Sequence, residues 1–190
     1  EQRMHTLVRR LDALLATVRQ LDFLGPLALR LYLAPVFWMA GTNKLSNIDG
    51  IAMWFGQGLG LPLPTLMAWL AALTETVGAV LLVVGLALPL ITIPLMVTML
   101  VAAFAVHWEN GWSAIAPSSD PAIGERLEMG RAILREHGNY DWLTAKGEFV
   151  ILNNGIEFAV TYFCMLLVLF FYGAGRYASA DFYLGRWLRR

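Results

Sequence analysis

Residues 66–107 read LMAWLAALTETVGAVLLVVGLALPLITIPLMVTMLVAAFAVH, and Glu75 and His107 are the only ionisable side chains among them. A helix needs about 20 apolar residues to cross the hydrocarbon layer of a bilayer. This stretch holds two such lengths, about 66–86 and about 90–107, with Gly85-Leu86-Ala87-Leu88-Pro89 at the join. Gly and Pro are the expected breakers of a tight helical hairpin. Two more windows qualify further out. One covers about 23–42, with Pro26 tolerated in its first turn. The other covers about 150–172. The expected fold is therefore all-α, an integral membrane four-helix bundle, with a long loop over about 108–149.

Composition agrees. The chain has 190 residues, of which 58% are hydrophobic and 15% charged. Soluble domains run to about half apolar and a quarter charged. Net charge is zero, so no global field steers nucleic acid, and no basic cluster interleaved with aromatics suggests base stacking. The lone Cys164 excludes an internal disulfide and Cys-x-x-Cys chemistry within one chain. No tandem repeat, low-complexity tract or linker interrupts the chain, so a single domain over 1–190 is expected.

Lys and Arg near the span ends set orientation. The N-terminal segment carries Arg3, Arg9, Arg10 and Arg19, and the C-terminal tail carries Arg176, Arg186, Arg189 and Arg190. The loop between the first two spans carries only Lys44, and the basic residues of the long loop are offset by acidic ones. Both termini are expected in the cytoplasm. Trp38, Trp54, Trp108, Trp112 and Trp142 then gather toward the outer interface as an aromatic belt. The N-terminal segment lacks the continuous apolar core of a signal peptide. Its Leu7, Leu11, Leu14, Leu15 and Val18 share one face, which predicts an amphipathic helix lying on the membrane. A second, short amphipathic helix is predicted in the long loop. Asp120 is its N-cap, Pro121 its first residue and Gly138 its stop, with Ile123, Leu127, Gly130 and Leu134 as its apolar stripe.

An ionisable side chain in the bilayer costs about 2.5–3.5 kcal/mol on insertion scales, so it seeks a partner or a cavity. Arg30 falls about two turns into the first span and Glu75 near the middle of the second. They are expected to pair, either fixing helix packing or binding and protonating a ligand. A second group gathers at the outer ends: Lys44, His107, Glu109, Asn153, Asn154 and Glu157. With a span beginning near Val150, Asn153, Glu157 and Thr161 share one helical stripe, and Glu157 sits about 8–10 Å below the rim. Lys44, His107, Glu109 and Glu157 could converge on one outward-facing pocket. Snorkelling to the interface accounts equally for Lys44 and Glu109.

His107 is the only histidine in or near a span, so a haem with two axial histidines is not expected within one chain. His107 with Glu109 and Glu157 is a candidate metal set, since imidazole and carboxylate suit several divalent ions. His107 is equally a candidate proton relay or a hydrogen-bonded interfacial residue. Met96 and Met99, three apart, are candidate soft ligands for Cu(I) or ordinary apolar filling. Gly41, Gly78 and Ala79 are small enough for the charged spans to approach closely.

The segments Arg30-Leu31-Tyr32-Leu33, Gly41-Thr42-Asn43-Lys44-Leu45 and Glu75-Thr76-Val77-Gly78, with His107, resemble the DoxX family of small four-helix membrane proteins. The resemblance runs from about Leu24 to Tyr172. Residues 93–104, continuing into His107-Trp108-Glu109-Asn110-Gly111-Trp112, and residues 149–157 are similar to the HvfX-type subgroup, whose members are encoded with enzymes that modify copper-binding peptides. That resemblance implies a bacterial inner-membrane protein near copper handling. The wider family implies quinone-linked redox steps, as in the membrane subunit of thiosulfate:quinone oxidoreductase.

Three functions are expected in order. The first is a redox-linked subunit that binds quinone or quinol, in which Glu75, Glu157 and His107 exchange protons and Arg30 or Lys44 binds a quinone oxygen. The second is a non-enzymatic helper that handles copper or a modified peptide. The third is a structural or lipid-binding scaffold. Candidate partners are the lipid bilayer, a redox or peptide-maturation protein and a second copy of the chain, with nucleic acid excluded.

Overall fold

The computed structural model describes residue 16 and residues 18–190. Leu7, Leu11, Leu14 and Leu15 of the predicted N-terminal amphipathic helix lie outside the described residues. The rest is helical, with no strand among the described residues and one isolated bridge between Ile115 and Leu152.

Helix α1 spans Leu24–Ser46. A short helix α2, Ile48–Met53, runs into a π-helical turn, Trp54–Gly58. Helix α3 spans Pro64–Val84 and helix α4 spans Leu88–Val101. Beyond α4 the chain continues as a π-helical stretch, Ala102–His107, and a 3-10 turn, Trp108–Asn110. Helix α5 is Pro121–His137, α6 is Tyr140–Thr144, α7 is Glu157–Tyr172 and α8 is Ala180–Leu188.

Among the described residues, three helical stretches are long and apolar enough to cross a membrane: Leu24–Ser46, Pro64–Val84 and Leu88–Asn110. The predicted windows at about 23–42, 66–86 and 90–107 fall on them. The fourth window, about 150–172, is met in part by a shorter apolar helix. Helix α7 begins at Glu157 and has 16 residues, about 24 Å of rise, against a hydrocarbon layer of about 30 Å. Residues 151–156 stay outside the helix because the backbone from Ile151 to Glu157 bonds to the segment 111–116. The N–H groups of Asn153 and Asn154 donate to Ala114 O, that of Gly155 to Ser113 O, that of Ile156 to Gly111 O and that of Glu157 to Trp112 O.

The chain divides into two compact units, one running up to Thr98 and resuming at Tyr162–Arg190, the other Met99–Thr161. In the first, α1 packs against α3. Their approach rests on small residues: a Cβ on Gly41 would lie 2.6 Å from Thr76 N. On the other side of α3, a Cβ on Gly78 would lie 3.0 Å from the methyls of Leu95. Buried Leu33, Phe37, Ala72, Leu82 and Leu95 fill this unit, while Leu70, Leu73, Val77, Leu90 and Val97 lie exposed. Such a surplus of exposed apolar surface is what helices in lipid carry, since the bilayer takes the place of a core.

The α3–α4 hairpin turns where Gly85 and Pro89 predict it. Gly85 adopts φ +70, and its N–H and that of Leu86 both donate to Leu81 O, closing the last turn of α3. A Cβ on Gly85 would lie 2.6 Å from Arg30 Cζ and 2.7 Å from Ser179 Cβ.

In the second unit the predicted loop helix is present as α5. Asp120 Oδ1 accepts from Ala122 N, Pro121 opens the helix and the chain leaves it at Gly138. Its stripe is the expected one: Leu127 is buried, Ile123 and Leu134 are half-buried, and Phe149 covers Gly130.

Gly85→Ala should strain the left-handed turn and push into Arg30, lowering stability in detergent by about 2 kcal/mol or more. Thermal unfolding of the purified protein tests this, and an unchanged midpoint would contradict it.

Candidate functional site

The antiparallel packing of α1 on α3 decides which charges meet. Arg30 lies beside the end of α3, not beside Glu75. Its Nε donates to Leu82 O at 2.7 Å and its Nη2 to Val83 O at 2.7 Å. Its Nη1 donates to Ala174 O at 2.8 Å and Ala178 O at 3.0 Å. The expected Arg30–Glu75 pair is therefore corrected. Glu75 is seven residues before Leu82 on α3, about 10 Å along the axis, outside the reach of a guanidinium so engaged. Carbonyls in the last turn of a helix lack intrahelical donors and carry the negative end of the helix dipole. A fully buried Arg30 meets that need. Asp181, whose carboxylate accepts from Ala87 N at 2.8 Å and Leu88 N at 3.2 Å, adds electrostatic attraction.

Glu75 pairs with Lys44. The distance from Nζ to Oε2 is 2.5 Å, and the side chains are 21% and 5% exposed. Helix α1 extends to Ser46, which puts Lys44 in its last turn. From there the lysine stem turns back along α1 toward the middle of α3 instead of snorkelling away. A buried carboxylate without a partner would be costly, and a hydrogen-bonded ion pair offsets much of that. The same two helices form an apolar groove of about 410 Å³ lined by Leu31, Pro35 and Trp38 of α1 and Ala79, Val80 and Val84 of α3. Ala79 of its lining is one turn along α3 from Glu75.

The residues expected at the outer rim are mostly occupied with one another's backbone. His107 Nδ1 lies 2.8 Å from Asn154 O. A carbonyl only accepts, so Nδ1 carries the proton in this bond. Asn110 Nδ2 donates to Asn154 O at 3.1 Å. Asn153 Nδ2 donates to Asn110 O at 2.5 Å and Ser113 O at 2.9 Å. Glu157 Oε2 accepts from Ala114 N at 2.9 Å. A Cβ on Gly155 would lie 2.6 Å from the carbonyl oxygens of Gly111, Trp112 and Ser113. Together these bonds staple segment 151–157 to segment 111–116. Asn153 therefore precedes α7, and the single stripe expected of Asn153, Glu157 and Thr161 does not form. Glu157 opens the helix instead of sitting two turns within it.

Glu109 is exposed, and Met96 and Met99 are half-buried on α4. Among the described residues no three His, Cys, Asp or Glu side chains gather as a metal-ligand set. His107, Glu109 and Glu157 therefore do not form the chelate their types suggested.

Asp181 and Ser179 went unnoticed in the sequence. Ser179 Oγ accepts from Phe182 N at 3.3 Å and caps α8. Its signal was present as Ser179-Ala180-Asp181, a serine cap followed by an acidic first turn.

The DoxX family matches residues 25–108, a stretch that holds α1 to α4, the Lys44–Glu75 pair and His107. No curated protein and no solved structure matches the chain.

Arg30→Lys keeps the charge but replaces a planar fork with a point donor, which cannot serve four carbonyls on two segments. Stability in detergent should fall by about 2–4 kcal/mol. A lysine variant as stable as wild type would show that charge alone suffices.

Proposed function

We propose, on the premise of a DoxX family domain at residues 25–108, that this protein is a quinone-interacting, redox-linked accessory subunit of the bacterial inner membrane. The observation that carries the reading is the Lys44–Glu75 ion pair, placed half-way along α3, one turn from Ala79 in the lining of the apolar groove. Intramembrane ionisable residues are expensive and commonly mark ion or substrate pathways. A quinone ring is flat and largely apolar, with an oxygen at each end. The groove suits the ring and its tail, and Lys44 is a donor for one oxygen. Reduction to quinol takes two electrons and two protons. The electrons come from a partner oxidoreductase. Glu75 and Lys44 exchange protons with the bound ring.

Helix α7 is the fourth crossing in this reading. It is apolar beyond Glu157, and Arg30 holds Ala174 O, just past its end, level with the last turn of α3. In this reading both termini face the cytoplasm, which the Arg-rich flanking segments support. In this reading the chain serves the maturation of copper-binding peptides, as the resemblance of residues 93–104, 107–112 and 149–157 to the HvfX-type subgroup implies.

Quinone that co-purifies with the protein from native membranes can be extracted and measured per chain. Glu75→Gln keeps an acceptor for Lys44 but loses the proton. It should weaken binding of a short-chain ubiquinone analogue about tenfold. A protein carrying no quinone, with analogue binding equal in wild type and Glu75→Gln, would overturn the reading.

A further inference from the structure

The C-terminal helix α8 has no part in the quinone reading, yet its placement is fixed tightly. Asp181 N donates to Gly85 O, and the Asp181 carboxylate accepts from Ala87 N and Leu88 N. The start of α8 is thus clasped to the turn between α3 and α4. That turn joins two helices long enough to cross a membrane, so it lies at a bilayer boundary.

From there α8 runs nine residues with two distinct faces. Tyr183, Leu184, Trp187 and Leu188 follow at i, i+1, i+4 and i+5 and share one face. Trp187 is 71% exposed and Leu188 68%. On the other side, Arg186, with Arg189 and Arg190 just past the end of the helix, lines a concavity of about 440 Å³ with Asp181, Phe182 and Gly185. Arg186 is held there by stacking over the Phe182 ring at 5.6 Å. Asp181 is already engaged by the hairpin, so the three guanidinium groups, all exposed, dominate the concavity.

We propose that α8 lies in the headgroup layer and that Arg186, Arg189 and Arg190 hold the phosphate of an anionic phospholipid. A short helix with Trp and Leu on one face and Arg on the other binds in the interface plane, drawn by apolar burial and by anionic lipid together. Guanidinium groups match phosphate oxygens in bidentate geometry. A soluble phosphate would use the arginines alone. The apolar face, pinned at the bilayer boundary, points to a lipid as the source.

The test uses the full chain in equal mixtures of phosphatidylcholine and phosphatidylglycerol, with retained lipid counted by native mass spectrometry. Wild type should retain phosphatidylglycerol over phosphatidylcholine by about tenfold. The combined variant Arg186→Gln, Arg189→Gln, Arg190→Gln should approach parity, and the matching triple Lys variant should keep part of the preference. Equal preference in wild type and the Gln variant would overturn the proposal. So would displacement of the lipid by millimolar inorganic phosphate, which would mark a site for free phosphate. Lipid-free dimers abolished by Trp187→Ser would also overturn it, assigning the face to a second copy of the chain.

Discussion

The guanidinium of Arg30 is the interaction on which one end of the molecule depends. Lipid offers no water to backbone groups, so every carbonyl left over at a helix end must find a donor in the protein. Arg30 supplies four donations from a single side chain, two to the last turn of α3 and two to the segment after α7. Gly85 is the complement to that arrangement, since any side chain there would occupy the space of the guanidinium. Asp181 completes it by holding the first N–H groups on the far side of the turn. One cation and one anion thus tie α1, the α3–α4 hairpin, the end of α7 and the start of α8.

With Arg30 committed to carbonyls, the remaining intramembrane charges have a simple arrangement. Glu75 takes Lys44, and the pair links α1 to α3. The polar residues after α4 and before α7 serve another purpose. His107, Asn110, Asn153 and Glu157 satisfy the backbone of two extended segments that would otherwise lack partners. Residue types that suggest a metal or proton site from sequence are here the means of closing a loop. This shifts the weight of the functional reading from the loop to the Lys44–Glu75 pair.

Much of the fold is legible in the sequence because lipid imposes a length rule. Helices α1, α3 and α4 and the hairpin between the last two follow from apolar run lengths and from Gly85 and Pro89. Helix α5 follows from Asp120, Pro121 and the Leu127 stripe. The pairing of charges is less legible. Depth along a helix places Arg30 and Glu75 only roughly, and a few residues of antiparallel register decide between a carboxylate and a carbonyl. The start of α7 is hidden because Val150, Ile151 and Leu152 are as apolar as a helix would be, while Ile151 O accepts from Ala116 N and Leu152 bridges to Ile115. Helix α8 is hidden because nine residues, with arginines among aromatics, fall below any span signal.

The central claim is that Glu75 answers to Lys44 and Arg30 to the helix ends. Two double-mutant cycles on unfolding in detergent test it most directly, one on Lys44→Met with Glu75→Gln and one on Arg30→Gln with Glu75→Gln. The account predicts a coupling of about 1–3 kcal/mol in the first cycle and additivity within about 0.5 kcal/mol in the second. Coupling confined to the Arg30 cycle, with additivity between Lys44 and Glu75, would contradict it.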